Sequence, residues 1–81
     1  MANRELQVGD EVEGRCSGWF NVRRGHGFIS VDGVKKDIFV PARNLLNAAS
    51  LEVGETVTFE VRMGYDGRLM ADNVELITEE S

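Results

Sequence analysis

The sequence predicts an all-β chain folded as a small five-stranded antiparallel barrel. Three observations carry that expectation. Short stretches alternate apolar and polar residues with a period of two, most cleanly Thr56 to Met63, where Val57, Phe59 and Val61 interleave with Thr58, Glu60 and Arg62. Nine glycines and a single proline punctuate these stretches, and no segment keeps the 3.6-residue period of a long helix. Finally, 81 residues make one domain with a small core. Closing the sheet on itself removes edges that so short a chain has little else to cover.

The first strand is expected from Asp10 to Asn21, with Val12, Gly14 and Cys16 on one face and Trp19 on the other. Ser17-Gly18 inside it is a candidate bulge. The second runs from His26 to Val31, with Gly27, Ile29 and Val31 inward and His26, Phe28 and Ser30 outward. Asp32-Gly33 is a hairpin-type turn pair. The third spans Lys36 to Val40, Ile38 and Val40 inward and Phe39 outward, and Pro41 stops it because proline cannot donate to a ladder. Residues 42–50 read either as one helical turn or as an irregular loop. Thr56 to Met63 is the fourth strand, Gly64-Tyr65-Asp66-Gly67 a turn, and Leu69 to Ile77 the fifth strand, before a short polar tail. The domain is the whole of residues 1–81, its core about 8–77. Leu6-Gln-Val8-Gly9-Asp10-Glu-Val12 and Leu51-Glu-Val53-Gly54-Glu55-Thr-Val57 share one pattern, which reads as the same glycine turn feeding two strands. Two copies do not make a repeat architecture.

The net charge is −5, unevenly spread. Residues 1–50 hold seven Lys/Arg and six Asp/Glu, hence +1; residues 51–81 hold two and eight, hence −6. A basic face on an acidic body is compatible with a salt-sensitive polyanion footprint. No run approaches the roughly 18 apolar residues of a membrane helix. The opening Met-Ala-Asn-Arg-Glu-Leu-Gln lacks an apolar h-region. The single Cys16 offers no disulfide framework. A cytoplasmic monomer is expected.

One stretch concentrates the chemistry. Trp19-Phe20-Asn21-Val22-Arg23-Arg24-Gly25-His26-Gly27-Phe28 holds the only Trp, the only His, two of the four Phe and two of the nine cations. Flat rings interleaved with cations are what unpaired nucleic acid needs, since bases stack on the rings while guanidinium groups meet the phosphates.

These residues resemble a cold-shock domain: Gly14-Arg-Cys-Ser-Gly-Trp-Phe-Asn21, then Arg24-Gly-His-Gly-Phe-Ile29, then Asp37-Ile-Phe-Val40, with Leu51 to Phe59 and Ala71-Asp-Asn-Val74 resembling its closing strands. The resemblance spans roughly residues 8–76. It implies an OB-type barrel that binds single-stranded RNA or DNA through its second and third strands. Carried over by position, Trp19, Phe28 and Phe39 match the base-stacking rings and Asn21 and Arg24 the polar contacts, while His26 stands where the family usually has an aromatic. Ser17-Gly18 stands where the family has a single Lys, Pro41-Ala42 replaces a His and the residue after it, and Ala48 falls near a common loop aromatic. The Leu6-to-Gly14 opening also resembles a second OB-type RNA-binding family, which lacks the Trp-Phe-Asn block.

The expected interface is therefore Trp19, Asn21, Arg23, Arg24, His26, Phe28, Lys36 and Phe39. Phe20 and Phe59 are assigned mainly to the core, and Tyr65 and Arg68 either extend the groove or cap the last hairpin, with capping the preferred reading. No enzyme is expected. The only conceivable dyad, Cys16 with His26, points to opposite faces and has no third group to orient the base. A zinc site would need three or four ligands at set spacing, so neither metal nor cofactor is expected. The rival reading is a protein-interaction module that uses the same exposed rings as a docking patch.

Overall fold

The computed structural model describes residues 4–20 and 25–78. The chain forms β1 (Glu11–Phe20), β2 (His26–Ser30), β3 (Ile38–Pro41), a 3-10 turn (Ala42–Asn44), β4 (Thr56–Met63) and β5 (Leu69–Leu76). The strands close into a barrel in the order β1-β2-β3-β5-β4. All pairings are antiparallel except the closing one, where β3 meets β5 in parallel at Phe39 and Met70.

The buried residues of β1 to β4 are those the alternation placed inward: Val12 and Cys16 of β1, Ile29 of β2, Ile38 and Val40 of β3, and Val57, Phe59 and Val61 of β4; Ala71 and Val74 of β5, three residues apart, are buried with them. At roughly 25 cal/mol per Å² of apolar surface, branched chains packed from five directions are the main source of stability. Gly14 is buried among them because a Cβ there would strike Ile29 Cγ2 at 2.5 Å and Ser30 O at 2.8 Å.

The two Leu-x-Val-Gly-acid segments are the same turn, docked on the β1–β4 pair from opposite ends. In the first, Gly9 has φ +98, Asp10 N donates to Gln7 O, and Gln7 N donates back to the Asp10 carboxylate. In the second, Gly54 has φ +96, Glu55 N donates to Glu52 O, and Glu52 N to the Glu55 carboxylate. Each turn then completes a neighbouring ladder: Gly9 N to Val61 O with Val61 N to Asp10 O, and Gly54 N to Cys16 O with Cys16 N to Glu55 O. Leu6 and Leu51 are buried beneath these turns. Glycine is required at both because an L side chain pays steric energy at that φ.

The segment expected to be either a helical turn or a loop is one 3-10 turn followed by a strap along β5. Leu46 N donates to Val74 O, Leu45 bridges Val74, Asn44 Nδ2 donates to Ala71 O, and Asn47 exchanges two bonds with the Leu76 backbone. The asparagine amides substitute for strand backbone, which is why the strap needs neither helix nor β-branched residues. Pro41 ends β3 from within: it is the last residue of the strand, paired with His26, and Ala42 N takes over as donor to Gly25 O.

Candidate nucleic-acid interface

β2 and β3 position the first rings. In register, Phe28 stands across from Phe39 and His26 across from Pro41, all on the outer face, while Gly27 and Ile29 face Val40 and Ile38 inside. The Phe28 and Phe39 centroids lie 6.0 Å apart in an edge-on arrangement, and His26 sits 5.6 Å from Phe39. Each ring is half-exposed, so the barrel holds one side and solvent reaches the other. Strand pairing fixes their spacing without help from a loop.

β1 supplies a fourth ring, and it is Phe20. Cys16 pairs with Ile29 but Gly18 pairs with Phe28, so Ser17 is an extra residue on β1. The predicted bulge is therefore present, and it reverses the parity of everything after it. Trp19 comes to lie across from Gly27 on the inner side, and Phe20 across from His26 on the outer side. This corrects the expected facing of both residues. Trp19 is half-buried and packs against the core cluster, with its indole Nε1 enclosed and unpaired among the described residues. Phe20 is 53% exposed, 5.5 Å from His26 and 6.2 Å from Phe28. The Phe20 ring leans over Gly18, where a Cβ would lie in ordinary contact with it at 3.6 Å.

The bulge residue is itself engaged. Ser17 Oγ lies 2.6 Å from Asp37 Oδ2 and 3.2 Å from Phe28 O. Its one proton goes to the carboxylate, because a charged acceptor makes the stronger bond. Ser17 thus ties β1 to the residue that precedes β3, across the strand carrying Phe28.

Lys36, expected within the third strand, lies just before it and is exposed. It borders a groove of about 980 Å³ whose floor includes His26, Phe28 and Phe39. The groove also reaches Arg43, Met70 and the β4–β5 turn with Tyr65 and Arg68. Of the two readings open for that turn, capping the hairpin or extending the groove, the closing β3–β5 contact favours the second by bringing it beside the rings. Pro41 shares the outer register of Phe39 but is buried, so no platform is offered there. Asn21, Arg23 and Arg24 lie outside the described residues.

Charge is mixed on both faces, with cations leading in the groove and carboxylates outnumbering Arg15 and Arg62 on the outer faces of β1, β4 and β5. Lys36, Arg43 and Arg68 line the groove with Asp37 and Asp66. On the outer faces of β1, β4 and β5 stand Glu11, Glu13, Glu60 and Glu75. Cys16 is buried with its Sγ 3.4 Å from Gly18 O. Burial pushes its thiol pKa up and the charge of Glu55 adds to that, with the Gly18 hydrogen bond opposing. It is a protonated core residue at neutral pH, not a nucleophile. Among the described residues no group of three or more His, Cys, Asp or Glu is arranged to hold a metal ion, and no helix is long and apolar enough to cross a membrane.

A closed five-stranded barrel with rings displayed on β2 and β3 beside cations defines an OB-type barrel with an aromatic face. Comparison with known sequences agrees: the family model described as the 'Cold-shock' DNA-binding domain matches residues 14–77. Cold shock protein CspA of Staphylococcus saprophyticus is 45% identical over 60 residues, 72% of this chain and 89% of that protein. Two plant proteins are also similar: Cold shock protein 1 of Arabidopsis thaliana, 36% identical over 80% of the chain, and Glycine-rich protein 2 of Nicotiana sylvestris, 43% identical over 69%. The match spans only 23% and 27% of those two proteins. The chain belongs to the cold-shock domain family, a nucleic-acid-binding family.

Proposed function

We propose that this chain binds single-stranded RNA or DNA with low sequence preference, without catalysis, and acts as a passive RNA chaperone or regulator in the cytoplasm as a monomer. The observation that carries the proposal is the row of rings Phe20, His26, Phe28 and Phe39 on one outer face, each within 6.2 Å of a neighbour. Every base has a π-face, so stacking on such a row is tolerant of sequence and worth roughly 1–3 kcal/mol per base. Lys36 and Arg43 at the groove, with Arg23 and Arg24 from the sequence between β1 and β2, follow the phosphates. Trp19 contributes from beneath, holding Gly27 and hence the β1–β2 register under His26 and Phe28. A strand held by its bases cannot pair, so binding alone shifts a hairpin toward its open form.

Duplex DNA offers no free π-faces, and the acidic outer faces of β1 and β4 repel it. The test is fluorescence anisotropy of a labelled oligothymidine, a labelled oligouridine and a DNA duplex of equal length. Saturable binding of both single strands with weak duplex binding is expected. Failure to bind either single strand would instead favour the protein-docking reading of the same face.

A further inference from the structure

We infer that the bound strand does not end on the β2–β3 rings but crosses the β4–β5 hairpin, where Tyr65 stacks a further base. This inference rests on the single-strand reading above and adds a subsite to it.

Tyr65 is the most exposed large hydrophobic side chain among the described residues, at 106% of its reference area. The backbone that carries it is nevertheless fixed. The turn beneath it is closed by Gly64 N to Arg68 O at 2.7 Å and Gly67 N to Gly64 O at 3.1 Å, with Gly67 at φ +80 and Asp66 Oδ1 accepting from Arg68 N. A hairpin tip needs no aromatic ring to form, and this one touches nothing that would explain it.

Its position supplies the explanation. Tyr65, Gly64, Arg43 and Met70 border the groove that holds the rings, and the same four border a second depression of about 350 Å³ beyond the hairpin, next to the exposed Met63. Tyr65 thus stands between two hollows that share a wall. Met70 pairs in register with Phe39, so the floor runs without a break from the platform to the hairpin.

The charges along this route fit a polyanion. The carboxylates that face it are all engaged: Asp37 accepts from Ser17, Asp66 pairs with Arg68 at 3.5 Å, and Asp72 with Arg62 at 3.6 Å. Lys36 and Arg43 take part in no ion pair among the described residues. A strand leaving Phe39 therefore meets cations, a polarisable Met70 and the exposed Tyr65 ring.

The experiment compares oligothymidines of three and eight nucleotides by anisotropy on the full chain, for wild type, Tyr65→Ala, Tyr65→Phe and Phe28→Ala. Tyr65→Ala should weaken the eight-nucleotide strand about tenfold, as loss of one stacked base does, and leave the three-nucleotide strand unchanged. Tyr65→Phe should bind like wild type, since the ring and not the hydroxyl is used. Wild-type affinity of Tyr65→Ala for both lengths would overturn the inference, and so would an equal loss on both. Phe28→Ala separates the two levels: if it too binds like wild type, the platform itself has failed, whereas a loss there with none at Tyr65 removes only the hairpin subsite.

Discussion

Phe20 faces His26 across the β1–β2 ladder with ring centroids 5.5 Å apart, and it does so because Ser17 is one residue too many in β1. Straight alternation from Cys16 would turn Phe20 into the barrel and Trp19 out of it. The extra residue exchanges their places.

Deleting Ser17 alone should therefore preserve the platform. Gly18 would follow Cys16 directly and keep its register with Phe28, while Trp19 and Phe20 keep theirs. The cost is the Ser17–Asp37 hydrogen bond, on the order of 1–2 kcal/mol for an exposed bond to a charged acceptor. Deleting Ser17 and Gly18 together should reverse both rings, with a large loss of stability and of single-strand affinity. Thermal melts and anisotropy on the two variants check this, and similar behaviour of both would refute the role given to the bulge.

Phe28→Ala and Phe39→Ala should each weaken single-strand binding by about 1–3 kcal/mol. They should cost less stability than Phe59→Ala, which empties a site only 2% exposed and should lose about 3–5 kcal/mol. Denaturant unfolding and binding isotherms on the three variants distinguish platform from core. Equal destabilisation by all three would place Phe28 and Phe39 in the core.

Gly27→Ala should be among the most damaging small substitutions in the chain. A Cβ there collides with Gly18 O and the Trp19 ring, and Gly18 O is backbone that cannot swing aside. A loss of about 1–3 kcal/mol is expected, with a shift in Trp19 emission as the indole is displaced. A melt like that of wild type would mean that Trp19 does not lie over Gly27.

Most of the barrel is legible in the sequence because its strands are half-buried, and a half-buried strand prints its facing as alternation. Val57, Phe59 and Val61 are all buried as the pattern requires, as are Ile29, Ile38 and Val40. Phe28 and Phe39 follow from the same parity. What alternation cannot carry is a change of phase. Ser17-Gly18 signals a bulge, and an extra residue at either position exchanges the facing of Trp19 and Phe20, whereas alternation carried straight on from Cys16 does not. The hairpin is only half legible, since the sequence leaves Tyr65 and Arg68 open between extending the groove and capping the turn. Gly64-Tyr65-Asp66-Gly67 satisfies turn chemistry completely, and its place beside the rings depends on the parallel closure of Phe39 on Met70, a long-range contact that leaves no mark on either segment.

A second bulge gives a stability prediction. Thr58 pairs with Glu75 and Glu60 with Asp72, so β5 carries an extra residue there, and Asn73 within it has φ +47. Asn73→Gly should be neutral to slightly stabilising. Asn73→Ala should cost about 1–2 kcal/mol, because alanine has no polar side chain to offset the left-handed conformation. Equal melting temperatures for the two variants would contradict that backbone geometry.

Binding should weaken with salt. Single strands release counterions with a slope of about −0.7 per phosphate neutralised, so two to four contacts give roughly −1.5 to −3 in log K against log salt. A tight complex indifferent to salt would show that Lys36, Arg43 and their neighbours are bystanders.

The most direct test of the aromatic face is an NMR titration of the chain with a seven-nucleotide oligothymidine, following ring and methyl protons. The signals of Phe20, His26, Phe28 and Phe39 should move together and saturate, shifted by the ring currents of stacked bases, while Phe59 and Val57 inside the barrel stay in place. Shifts confined to the acidic faces of β1 and β4, or no saturable shift at all, would contradict the assignment of this face to single-stranded nucleic acid.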